Sequence, residues 1–184
     1  MSEPTNLGYA LLGLVHQGPK SGYDLRKVMA ETALGNYSSS PGAIYPALAR
    51  LEKEGLVIGK EDRSTSLRPK KVYRPSAKGR KVFTAWLSRE VTGDDVNRHL
   101  DELMLRFAFH DVLDDRAATH RFLKELARQL QVFVTELKSQ RQRMSASMPL
   151  QSRLALEAGI EQASASLRWA RKALRYFRDE RAEE

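Results

Sequence analysis

The 184-residue chain contains no cysteine. Disulfides and thiolate metal sites are therefore excluded, and the composition suits a reducing, cytoplasmic setting. No apolar run approaches the length that spans a bilayer, and the N-terminus has no secretory-signal pattern. Neither a P-loop nor a dinucleotide-binding loop occurs. No serine sits in a nucleophile-elbow pattern. The four histidines are His16, His99, His110 and His120. His99 lies near Asp101 and Glu102, but no second pair of ligands has suitable spacing, so no metal and no other cofactor is expected. These absences together speak against an enzyme.

Acid is also scarce, in one half only. Residues 1–91 hold 15 Lys+Arg against 8 Asp+Glu, a net of +7. Residues 92–184 hold 16 against 15, a net of +1, so the +8 of the whole chain belongs to the first half. A half-chain this basic suits a polyanion partner, above all nucleic acid. A solvated basic surface is the plainer alternative.

Residues 5–16 read as a first helix, capped by Thr5 or Asn6 and striped by Leu7, Leu11, Leu14 and Val15. Gln17-Gly-Pro-Lys20 breaks it. Ser21 is the candidate N-cap of a second helix, whose Leu25, Val28 and Met29 point inward and which ends near Gly35. Ser21 and Tyr23 sit where the amides of that helix start can meet a phosphate, with half-buried packing the alternative for Tyr23.

The third helix organises the chain. Ile44, Leu48 and Leu51 fall at i, i+4 and i+7, on one face. The opposite face holds Gly42, Pro46, Ala49 and Lys53, edged by Tyr45 and Arg50. A helix buried on one side and slim on the other fits a DNA major groove, which admits a single helix. Ser38 and Ser40 offer capping hydroxyls ahead of Pro41. Pro46 would crowd the Gly42 carbonyl, so the regular helix is expected to start near 43–45 or to bend in its first turn. Gly55 ends it.

Residues 56–60 and 71–74 are the only convincing strand candidates, and they form a hairpin around a polar loop. Arg68, Lys70 and Lys71 would bring cations to a phosphate backbone or an adjacent minor groove. Ser76 caps a fourth helix whose stripe is Val82, Phe83, Trp86 and Leu87. Three helices followed by a two-stranded wing make a winged helix-turn-helix.

Four segments give this a family likeness. Gly8-Tyr-Ala-Leu-Leu-Gly-Leu, Ser21-Gly-Tyr-Asp-Leu25, Gly42-Ala-Ile-Tyr-Pro-Ala-Leu-Ala-Arg-Leu-Glu-Lys-Glu-Gly-Leu-Val57 and Lys71-Val-Tyr73 resemble the PadR family of bacterial transcriptional regulators in order and spacing. One departure is Pro75-Ser76, where the family usually has Leu-Thr; Ser76 can still cap. The resemblance implies a sequence-specific DNA-binding regulator, most often a repressor.

Residues 91–97 read as a linker. Residues 101–113 are apolar on nearly every face, and His110 shares a stripe with Leu103 and Phe107, as a core or interface residue would. Two helices of roughly 30 residues follow, the first reaching about Met144 and the second running over about 150–178. In the last, Leu156, Ile160, Ala163, Leu167, Ala170, Leu174 and Phe177 alternate steps of four and three, a heptad seam. The two long helices are expected to form an antiparallel hairpin, with association covering the remaining apolar surface. This half is similar to the virulence-activator type of C-terminal region, through which longer PadR-like proteins dimerise. Leu103, Phe107, Leu156, Ile160, Leu167, Leu174 and Phe177 are then the dimerisation candidates. Because aromatic ligands bind near the dimer interface in some of these regulators, Trp169 is a candidate stacking residue for a small-molecule effector. Packing at a helix interface is the plainer role for it.

The expected architecture is mainly α. A winged-helix DNA-binding domain occupies 1–91, and a helical dimerisation domain of long antiparallel helices occupies 92–184. The expected partners are double-stranded DNA with a pseudo-palindromic operator and a second copy of the chain. The alternative is a dimeric interaction module whose winged helix binds protein instead of DNA.

Overall fold

The computed structural model describes residues 3–62, 69–144 and 148–177. The elements are α1 (Asn6–His16), β1 (Lys20–Ser21), α2 (Gly22–Glu31), a short 3-10 turn (Ala33–Tyr37), α3 (Pro41–Lys53), β2 (Val57–Asp62), β3 (Lys70–Pro75), α4 (Ala77–Leu87), α5 (Gly93–Arg98), α6 (Leu100–Ala108), a second 3-10 turn (His110–Leu113), α7 (Arg116–Met144) and α8 (Leu150–Tyr176). The fold is mainly α with a winged helix-turn-helix, as expected. Among the described residues no helix is long and apolar enough to cross a membrane.

Two compact units form. One holds the chain up to Arg89 together with Leu105–Leu113; the other holds Glu90–Met104 and the chain from Asp114 onward. The dividing point falls inside α6, so the expected boundary at 91/92 misses a return of the chain to the first unit. The reason lies in three side chains. Leu105 and Phe109 join the first unit's core, with the Phe109 ring edge-on to Phe83 at 5.8 Å. Buried Arg106 donates to the carbonyls of Leu87 and Arg89, closing the C-terminal end of α4.

In the first unit α1 is buried nearly all round, as its composition requires. Tyr9 stacks on Trp86 at 4.1 Å, and Phe83 lies beside Trp86 and His16. Trp86 is thus a core residue. The wing differs from the expected two strands: β1 adds a third, giving the antiparallel order β1-β3-β2 with Lys20 opposite Tyr73 and Ser21 opposite Val72. A two-residue strand has no periodicity for a sequence to display. The main hairpin pairs Val57 with Pro75 and runs out to Asp62 opposite Lys70.

Helix α3 starts at Pro41, earlier than the later start near 43–45, and carries Pro46 inside it. A proline at the first position wastes no donor, whereas Pro46, inside the helix, cannot supply the N–H that would otherwise run to the Gly42 carbonyl. Its far end is a Schellman turn. Leu56 N–H bonds to the Leu51 carbonyl and Gly55 N–H to that of Glu52, with Gly55 at φ +71°. Residues 91–97 are not a linker: Thr92 and Asp95 form a capping box that starts α5.

In the second unit α7 and α8 pack together; α8 buries Ile160, Ala163, Leu167 and Ala170, and α7 buries Phe122, Leu123, Leu126, Leu130 and Val134. Asp115 caps α7 through the Ala118 N–H.

Two consequences can be measured. A Cβ at Gly79 would collide with the Leu56 carbonyl, backbone that cannot step aside, whereas a Cβ at Gly42 meets nothing. Gly79→Ala should lower stability to unfolding by roughly 1–3 kcal/mol, and Gly42→Ala should raise it by about 0.5 kcal/mol; urea unfolding reads both. The second consequence concerns acid. Burial, then Arg106, hold His110 down from 6.5 to about 4. Below pH 6.5 the unfolded chain takes up a proton that the folded one refuses, so stability is lost as pH falls through the window from 6.5 to about 4. Between about pH 7.5 and about pH 4.5 the loss should be about 2–3 kcal/mol. His110→Gln should flatten that slope.

Candidate nucleic-acid interface

The three apolar residues of α3 fix which side of it meets solvent. With Ile44, Leu48 and Leu51 buried, Gly42, Tyr45, Pro46, Ala49, Arg50 and Lys53 are all exposed. Tyr45 keeps 47% of its surface exposed. Its ring lies over the start of α2, where a Cβ on Gly22 would come within 2.6 Å of Cε1. That glycine brings α2 and α3 together and sets Tyr45 at their junction. Tyr23, next in sequence to Gly22, is 60% exposed, with the Arg26 guanidinium 5.5 Å from its ring centre. Two tyrosines and two cations, Arg50 and Lys53, therefore flank one solvent-facing surface of α2 and α3.

The approach to α3 is a turn of serines. Ser38 adopts φ 146°, and its Oγ accepts from the Ser40 N–H at 3.2 Å. Ser40 occupies the N-cap position with no side-chain cap bond; its hydroxyl lies 3.3 Å from that of Ser38. The Ser40 carbonyl takes both the Ala43 and Ile44 N–H groups at 3.1 Å.

Ser21 does not join this surface. It is 4% exposed, its hydroxyl donates to Asp24 Oδ2 at 2.7 Å, and it accepts from the Asp24 N–H. Both hydrogen-bonding roles are spent on the capping box, and the Ser21 hydroxyl in turn holds the Asp24 carboxyl below the usual range. The Ser21 hydroxyl serves as a structural cap.

On the wing, Lys70 is exposed at the outer end of the hairpin. Lys71 is exposed too, but its ammonium donates to Glu52 Oε2 at 2.7 Å, and that bond is the main reason its pKa lies above the ordinary lysine value. Its expected role as a free phosphate contact is thus modified: in this structure it is tied to α3. Arg68 lies outside the described residues.

The residues expected to dimerise divide into two groups. Leu103, Ile160 and Leu167 are buried within their own chain, so they are not surface available to a partner in this structure. Phe107, Leu156, Leu174 and Phe177 are half-buried, and the Arg116 guanidinium covers the Phe177 ring at 5.1 Å. Sequence reasoning missed the apolar residues that are exposed on the second unit: Val132, Met144, Leu150, Leu154 and Tyr176. Leu150 and Leu154 are one helical turn apart and lie off the seam, the signal that would have found them. Trp169 is half-buried on α8. Among the described residues no cluster of His, Asp or Glu could hold a metal ion.

Two family models match the chain, one in each half. Residues 11–85 match the model of the transcriptional regulator PadR-like family, and residues 101–178 match that of the virulence activator alpha C-term. The negative transcriptional regulator PadR of Bacillus subtilis is 28% identical over 141 residues, 77% of this chain and 76% of that protein. A transcriptional regulator of Mycobacterium tuberculosis is 39% identical over 69 residues, 34% of this chain and 64% of that protein. Among solved structures, Bacillus subtilis PadR in complex with operator DNA aligns with 93% of this chain and 98% of that one, at 24% identity and a TM-score of 0.41.

Proposed function

Because the chain belongs to the PadR-like family of transcriptional regulators, and so not to a family of enzymes, we propose that it is a dimeric repressor that binds a pseudo-palindromic operator in the cytoplasm. The observation that carries this reading is the face of α3: three apolar residues beneath, and Tyr45, Arg50 and Lys53 exposed above small neighbours. Small residues let the helix approach the floor of a major groove, while the longer side chains reach base edges or flanking phosphates. Tyr23, Ser38, Ser40 and Gly42 would meet the backbone, and Lys70 would add a wing contact. The net +7 of residues 1–91 supplies the attraction that any such contact needs.

Repression is supported by the name of the Bacillus subtilis relative, a negative regulator. Dimerisation is supported by the match to the virulence activator C-terminal model, and the exposed Leu150 and Leu154 are the better candidates for it than the buried seam. A small-molecule effector, with Trp169 as a stacking residue, would act by favouring one spacing of the two DNA-binding units.

The test is binding of the purified protein to a labelled duplex from its own upstream region, across salt concentrations. Log affinity should fall steeply and linearly with log salt. Arg50→Ala with Lys53→Ala should flatten that slope by about 2 if both meet phosphates. A double variant with wild-type affinity and slope would remove α3 from the interface.

A further inference from the structure

Glu52 and Lys71 are 19 residues apart, one near the end of α3 and the other on β3. Their side chains meet at 2.7 Å over Gly59 of β2. A Cβ at Gly59 would lie 2.7 Å from Glu52 Oε1 and would overlap Lys71 Cε. This glycine therefore serves the space between two side chains. Three elements converge on one point: the end of the candidate recognition helix and both strands of the wing.

The place of that point along the wing matters. β1 covers β3 only at Val72 and Tyr73. Tyr73 is buried and anchors the strand. From Lys71 outward β3 pairs with β2 alone, as a two-stranded ribbon, and such ribbons twist more freely than a fuller sheet. Lys71 is the first residue beyond that support, and the residue bonded to α3.

We infer that Glu52 is a positioning residue for DNA binding: through Lys71, in the gap kept open by Gly59, it fixes the outer wing against α3. The inference rests on the DNA-binding reading above and goes beyond it. Glu52 touches no DNA in this account, and as an acid beside a polyanion it is electrostatically unfavourable for binding. In this account, holding the wing outweighs that repulsion. The pair is partly exposed, so its worth is modest, and a mobile wing would lower affinity by about two- to fivefold.

Charge and positioning predict opposite signs, and this makes a sharp test. Glu52→Ala removes a negative charge near the duplex, which on charge alone tightens binding. As a positioning residue its loss weakens binding instead, by about two- to fivefold at fixed salt. Gly59→Ala changes no charge, and only the ends of two flexible side chains must move, so the fold survives while the pair is pushed apart. It should weaken binding to a similar extent. In the free protein both variants should speed amide hydrogen exchange at Lys71 and at the β2 residues opposite, with the unfolding midpoint unchanged. Unchanged exchange in Glu52→Ala, or DNA affinity equal to or tighter than wild type, overturns the inference. If wild-type protein fails to bind DNA at all, the DNA-binding reading fails, and the role of Glu52 in binding fails with it; the exchange measurement still reports separately whether the pair holds the wing.

Discussion

Ile44, Leu48 and Leu51 are withdrawn from solvent together, and each such side chain contributes roughly 1.5–3 kcal/mol by leaving water. Because they share one face of α3, their burial fixes the rotation of that helix about its axis and so dictates which residues look outward. The rest of the first unit follows from that constraint. The Schellman turn at Gly55 ends α3 and delivers Leu56 and Val57 into the core as β2 begins. Gly79 lets the first turn of α4 press on the Leu56 carbonyl, and Ser76 caps α4 while donating to the Gly55 carbonyl at 2.6 Å. Helix end, strand start and next helix start thus converge on three consecutive residues. The wing leaves this junction with its direction already set.

The second unit applies the same economy to a different end. A heptad seam can serve one partner helix at a time, and here α7 takes it. What remains outward on α7 and α8 is polar or cationic, broken by a few exposed apolar residues such as Leu150 and Leu154. The seam positions Leu156, Leu174 and Phe177 stay half-buried, and Leu150 and Leu154 are exposed off it. Leu105–Leu113 belongs to the first unit for equally specific reasons: Arg106 closes the end of α4, and Leu105 and Phe109 fill the core.

The helices, their caps and the orientation of α3 were legible in the sequence because each has a local signature. Thr5, Ser21 and Ser76 cap where expected. Features that depend on distant partners were not legible. β1 is too short to show a pattern, and its existence depends on β3, some fifty positions later. The Thr92–Asp95 capping box was visible, yet it lay within a polar stretch that also reads as a linker. Ser21 looked available because a cap and a phosphate ligand are the same residue type at the same position; only burial separates them. The heptad seam names a helix partner without saying which chain supplies it. Glu52 and Lys71 each look like an ordinary surface charge until the fold brings them together.

Hydrogen exchange of the protein with and without duplex DNA from its upstream region addresses the orientation of α3 most directly. Slowed exchange at the start of α3, at the Ser38–Ser40 turn and along β3 is the predicted result, with the α7–α8 seam unchanged. DNA binding that leaves α3 and β3 unprotected and slows exchange elsewhere would contradict the assignment of the outward face of α3 as the reading surface.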